Sequence, residues 1–227
     1  MATIVEFIGL PGAGKTTLSR KVATHLSHEQ RVHEPTRTIE TYATARRVGT
    51  KLKYTLDSAI HDPRTTYKTT KGVVTTKQAS LSDLVRVTFN LQYVTGVTNR
   101  HRKKPGICLL DQGPYQALWS VGFRSARGWT AVLDSVDYPT RLRPDLAICV
   151  DVTESTIEDR LTNRSDGDTR FVPDTDAFEH GIDGYERLKS RLQTESAPQT
   201  LVIENDSPDT LEANAKRIAD AILARHY

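Results

Sequence analysis

The sequence predicts an α/β protein: a three-layer, doubly wound parallel sheet of five strands with a helical or loop lid. Three observations predict it. Short runs that are apolar on both faces alternate with stretches of helical spacing, the pattern of parallel strands covered on both sides. The first such run leads without interruption into a G-x-x-x-x-G-K-[ST] segment. Acidic residues or the glycine loop stand where the strands end: Gly9, Glu34, Asp111 and Asp151. In open parallel sheets that edge is where ligands bind.

The elements follow in order. Residues 3–8 (TIVEFI) read as a strand and residues 16–26 as a helix. Residues 30–34 are a short second strand. Helical spacing runs from Thr38 to about Ile60, and Asp62-Pro63 breaks it. Residues 64–78, with TTYK, TTKG and TTKQ in succession, read as a loop or small hairpin, part of a substrate-side insertion over 61–80. A Ser80-x-x-Asp83 cap opens a long helix that ends near Lys104. Residues 107–111 form a buried strand with a carboxylate at its end, and one or two helices cover 114–136. Residues 146–151 are another buried strand, followed by a helix over 154–161 and a polar stretch over 162–176 expected to be a lid. A helix over 177–194, a strand over 200–204 and a helix over 208–226 complete a single domain spanning 1–227.

The residues with the clearest chemistry are Gly9, Gly12, Ala13, Gly14, Lys15, Thr16 and Thr17. Glycines let a loop turn its backbone N–H groups onto phosphate oxygens, and the helix that follows adds the positive end of its dipole. Lys15 is placed to reach the β- and γ-phosphates, and the Thr16 hydroxyl to hold Mg²⁺. Asp111, after four apolar strand residues, is the expected carboxylate near that metal. Gln112, Tyr115 and Gln116 follow it along the expected acceptor pocket. Glu34 is a candidate base, or a carboxylate ordering metal-bound water, and Arg37 a candidate clamp for an acceptor phosphate. Arg160 and Arg164 share a helix face and Arg170 follows in the polar stretch, so all three are candidates to close over the transferring phosphoryl group. The turn Asn205-Asp206-Ser207 either touches a base or caps the last helix.

Composition narrows the class. The 227 residues are 37% hydrophobic and 26% charged, as in ordinary soluble proteins. No apolar run approaches the roughly 20 residues of a membrane span, and the core strand at the start argues against a signal peptide. A net charge of +3 suits a protein that handles small polyanions and is too weak to argue for nucleic acid. The basic run 100–104 closes a helix, where cations complement the dipole. Cys108 and Cys149 lie inside apolar strands and read as buried free thiols of a cytoplasmic protein.

Together these residues resemble the thymidylate-kinase-like branch of the nucleoside and nucleotide kinases, over most of the chain. The glycine loop matches. Glu34-Pro35-Thr36-Arg37 is similar to the family's "EPGGT" or "EPV", and Asp111-Gln112-Gly113 stands in the place of "DRY" or "ERS". The segment from Pro144-Asp145-Leu146 into Asp151-Val152-Thr153 is similar to "PDLTLYLDVSPE", and Arg160-x-x-x-Arg164 with Asp168-x-Arg170 to the "RxxxR…DR" lid. The resemblance implies a P-loop NTPase of nucleotide-kinase type, strand order 2-3-1-4-5, with ATP and Mg²⁺ and lid arginines supplying catalytic charge. Departures stand in the acceptor motifs: Gln112 replaces an Arg, Thr36-Arg37 replaces "GGT", and Asn90-Leu91-Gln92 stands about where "ADR" would.

The expected activity is ATP-dependent phosphoryl transfer to a small-molecule acceptor, a nucleoside or nucleotide. A homodimer is compatible with this reading. The alternatives are an ATP-binding regulatory protein without turnover, a GTPase, for which no Asn-Lys-x-Asp guanine signature is present, and a polynucleotide-end kinase.

Overall fold

A computed structural model describes residues 1–123, 125, 127, 143–163, 171–173, 175–194 and 198–226. Its sheet is β1 (Thr3–Ile8), β2 (Val32–His33), β3 (Ile107–Leu110), β4 (Leu146–Asp151) and β5 (Gln199–Glu204). The strands lie in the order β2-β3-β1-β4-β5 and every pairing is parallel. The register sets Val5 beside both Leu109 and Leu146, so the three central strands are fully covered.

Alternation along those strands builds two cores. Val5, Phe7, Leu109, Ile148 and Val150 point to one face, under α1 (Lys15–Leu26) and the last helix, α9 (Leu211–His226). Ile4, Ile8, Cys108, Leu110, Ala147 and Cys149 point to the other. That face is covered by α5 (Leu81–Arg102), α6 (Pro114–Phe123) and α8 (Asp176–Thr194), through residues such as Leu91, Trp119 and Phe178. Removing these side chains from water supplies the main drive for the layered arrangement.

The structure departs from expectation in three places. The second helix is two: α2 (Pro35–Glu40) ends at Thr41, and α3 (Thr44–His61) restarts after Ala43, which is extended. The Thr/Lys-rich stretch is a helix, α4 (Pro63–Thr75), not a loop or hairpin. Asp62 accepts a hydrogen bond from the Thr65 N–H at its start, and Pro63 occupies the first turn, where its missing N–H costs nothing. Two of its threonines bond within the helix, Thr69 Oγ1 donating to Thr65 O and Thr75 Oγ1 to Gly72 O. The buried Gln92 of α5 donates to Thr66 O, Thr69 Oγ1 and Thr70 Oγ1. A polar composition thus forms a helix because its hydroxyls and a partner amide pair across the helix contact. The last helix begins with a 3₁₀ turn (Pro208–Thr210) whose cap is Ser207. α7 (Glu154–Thr162) follows β4.

The basic run is structural. Arg102 pairs with Asp145, Arg100 lies over the Tyr54 ring, and Lys104 Nζ lies 3.1 Å from His101 Nε2. Among the described residues, no helix is long and apolar enough to cross a membrane.

Candidate active site

The glycine loop is a tight backbone turn between β1 and α1. Gly12 and Gly14 have φ of 90° and 85°, conformations a side chain strains against. A Cβ on Gly14 would also lie 2.7 Å from Asn205 Nδ2. The turn's carbonyls are held from outside. Arg160, on α7, donates to Gly12 O at 3.2 Å and to Asn205 O and Asp206 O at 2.8 and 2.9 Å. Asn205 Nδ2 donates to Ala13 O at 2.9 Å. Gln116 Oε1 accepts the Gly9 N–H at 3.1 Å. The loop and the start of α1 border a cavity of about 600 Å³ through Gly12, Gly14, Lys15, Thr16 and Thr17.

Lys15 Nζ donates to Gly9 O and Leu10 O, at 2.8 and 2.9 Å. Thr16 Oγ1 lies 3.4 Å from Asp111 Oδ2, and Thr36 Oγ1 donates to Asp111 Oδ1 at 2.5 Å. One hydroxyl and one carboxylate, both oxygen donors beside a phosphate cradle, fit Mg²⁺, which keeps waters and takes the rest of its shell from substrate phosphates. Among the described residues no cluster of three or more acidic, His or Cys side chains offers an all-protein metal cage.

The cavity extends past the loop. Its far wall is Asn90 of α5, Gln112, and Gln116, Trp119 and Ser120 of α6. Ser207, Pro208 and Leu211 border its other end. Of the residues singled out in the sequence, the cavity gathers Gly12, Gly14, Lys15, Thr16 and Thr17 of the loop and α1, with Asn90, Asp111, Gln112, Gln116, Arg160, Asn205 and Ser207. Glu34 and Arg37 are not among its lining residues. They pair with each other, Arg37 Nη1 standing 2.9 Å from both carboxylate oxygens. Tyr115 is buried in α6 rather than lining the cavity. Gln116 serves the loop, through Gly9. Arg164 and Arg170, and most of the expected lid, lie outside the described residues. Asp151 is occupied by Lys189 and Tyr185.

Two side chains that the fold brings to the site escaped sequence reasoning. Thr36, inside the acidic-Pro segment, is the residue of that segment that reaches Asp111. Glu6, fully buried in β1, accepts the Gln116 N–H at 2.8 Å and fills the space a side chain on Gly113 would need. Burial pushes its carboxyl up to about 8, against the lowering pull of backbone N–H bonds from Gln116, Tyr115 and Gly113. A carboxylate in an apolar strand was the available signal for Glu6.

No protein-family profile and no curated relative matches the sequence. Solved structures do match in fold. Deoxyadenosine kinase from M. mycoides with bound dATP superposes with a TM-score of 0.59 at 12% identity, covering 97% of this chain and 99% of that one. The same enzyme with bound dCTP gives 0.55 at 13% identity, with coverage of 97% and 99%. Thymidylate kinase from Ehrlichia chaffeensis gives 0.53 at 13% identity, covering 97% of this chain and 98% of that one. The fold is that of the P-loop nucleoside and nucleotide kinases. Its all-parallel sheet is the one the strand pattern led us to expect, and its strand order is the one the resemblance implied.

Proposed function

We propose that this protein is an ATP-dependent kinase that transfers a phosphoryl group to a nucleoside or nucleotide. The observation that carries the reading is the continuity of the cavity. One space runs from the glycine loop, past Asp111, to a polar and aromatic wall of Asn90, Gln112, Trp119 and Ser120, with room for a donor and an acceptor end to end. Kinases with the same fold bind or act on nucleotides, which supports the acceptor class.

In this reading the loop amides and Lys15 grip the β- and γ-phosphates. Thr16 and Asp111 would hold Mg²⁺, which would supply positive charge against the phosphates. Thr36 fixes the Asp111 carboxylate for that role. Arg160 braces the loop from behind and lies at its edge, where charge spreads during transfer; Arg164 and Arg170 are proposed to join it from the lid. Phosphoryl transfer passes through a loose transition state, so positioning and charge stabilisation outweigh base strength. That suits a site whose carboxylates are already engaged, Asp111 by two hydroxyls and Glu34 by Arg37. A hydroxyl acceptor would give its proton to one of these two; a phosphate acceptor needs no base. Burial pushes both free thiols up to about 12, which keeps them protonated and suits a protein of the reducing cytoplasm.

The test is ADP release from MgATP across nucleosides, nucleoside monophosphates, sugars and oligonucleotide 5′-ends. Turnover that depends on a nucleoside or nucleotide and vanishes in Lys15→Ala supports the proposal. Tight ATP binding with no acceptor-dependent turnover overturns it in favour of a regulatory nucleotide binder.

A further inference from the structure

A second cavity lies away from the glycine loop, between the C-terminal halves of α3 and α5. The two helices touch tightly where a Cβ on Gly96 would lie 2.2 Å from Tyr54 O. Beyond that contact a space of about 350 Å³ opens, lined by Asp57, Ser58 and His61 of α3 and by Asn99, Arg100 and Lys103 at the end of α5. It shares no lining residue with the cavity at the glycine loop.

Its wall holds polar groups that the chain leaves unused. Ser58 is 3% exposed, and its Oγ has no hydrogen-bond partner. Thr50, Thr55, Thr95 and Thr98 of the same two helices donate to the carbonyl four residues back, and Ser58 does not. A buried hydroxyl without a partner costs free energy, which points to a group taken up from outside. Asn99 makes no side-chain hydrogen bond to a described residue, and neither Arg100 nor Lys103 has an ion-pair partner among them. Arg100 lies over the Tyr54 ring. A hydroxyl, an amide, a guanidinium and an ammonium thus border one space, all of them able to donate to an anion.

The carboxylates decide the kind of ligand. Asp57 Oδ1 stands 3.3 Å from His61 Nδ1, and Asp62, which also borders the cavity, accepts the Thr65 N–H. Two carboxylates therefore face two cations beside an imidazole, a balance that does not suit a bare polyanion. It suits a molecule with two ends: one phosphate for Arg100, Lys103, Asn99 and Ser58, and hydroxyls that donate to Asp57. We infer that this cavity is a second ligand site, separate from the catalytic one, for a small sugar monophosphate. Helix α5 joins the two sites: Asn90 borders the first and Asn99 the second, about 14 Å apart along its axis.

Calorimetric titration of the intact chain with ribose 5-phosphate, without nucleotide, tests this, with the side-chain NH₂ resonances of Asn99 as the local readout. Saturable binding at millimolar ligand or below, shifting those resonances, is expected. Lys103→Met should weaken it about tenfold or more, because a charge-assisted hydrogen bond is lost. Ser58→Ala removes a hydroxyl that the ligand-free chain leaves unbonded. It should melt no lower than the parent, while affinity for ribose 5-phosphate falls about fivefold. Lys15→Ala should bind as the parent does. Four results would each overturn the proposal: no binding, inorganic phosphate binding as tightly as ribose 5-phosphate, affinity unchanged in both Lys103→Met and Ser58→Ala, or binding lost in Lys15→Ala. The last would give the ligand to the catalytic cavity.

Discussion

The two ends of the cavity are built in different ways. At the end proposed to take the phosphates, the groups held in place are backbone ones. Arg160, Asn205 and Lys15 hold carbonyls of the loop and Gln116 holds the Gly9 N–H, with contacts drawn from α7, the turn after β5, α1 and α6. At the acceptor end the wall is made of neutral side chains, Asn90, Gln112, Trp119 and Ser120, and the charged pair nearby, Glu34 and Arg37, is closed on itself. A backbone cradle suits any triphosphate, since every nucleotide presents the same oxygens. A side-chain wall suits one acceptor, and it can change without disturbing the cradle. On the proposed function, this accounts for a glycine loop that matches the common motif beside an acceptor side that differs from the resembled motifs at Gln112 and Arg37.

The sharpest way to break the phosphate end is Lys15→Ala. We expect nucleotide turnover to vanish while the circular dichroism spectrum stays that of the parent; an active variant would sink the phosphate-loop reading. Arg160→Ala comes next. It removes charge at the transferring group and releases three carbonyls at once, and kcat is expected to fall by about 10²-fold or more. A change in KM for ATP alone would make it a brace only. Thr36→Val strips Asp111 of one orienting hydroxyl, and the Mg²⁺ concentration for half-maximal rate should rise about tenfold; an unchanged metal titration would separate Thr36 from the metal.

Glu6 links the two ends, since it holds the N-terminus of α6 and Gln116 holds the loop. Its carboxyl titrates near 4.5 unfolded and about 8 folded. Between those values the folded chain keeps a proton that the unfolded chain has lost, so this group makes stability fall as pH rises from about 4.5 to 8. Glu6→Gln should flatten that slope in denaturant titrations at several pH values, and an identical slope would refute the assignment. His101 works in the opposite sense: burial lowers it to about 4, so its share of stability is lost as pH falls through the window from 6.5 to 4. The smallest effect is expected at the acceptor end. Arg37→Met should raise KM a few-fold for a nucleotide acceptor and leave a nucleoside acceptor unchanged, because the Glu34 pair is partly exposed and worth no more than about 1 kcal/mol.

What the sequence determined by itself was what depends on neighbours along the chain. The strand into Gly9, the positive-φ turn at Gly12 and Gly14, the helix from Lys15 and the carboxylate at Asp111 are each local patterns, and the alternation of apolar strands with helices sufficed for a parallel sheet, whose order the family resemblance implied. The helix at Pro63–Thr75 was hidden because its stabilising partner, Gln92, lies on another helix. Tertiary structure alone brought Arg160 and Asn205 onto the loop, set Thr36 against Asp111, and placed Glu6 beneath Gly113. Those contacts join residues from about 75 to 192 positions apart. Local periodicity carries no information on such pairings; they exist only once the strands have packed and fixed which side chains share a wall.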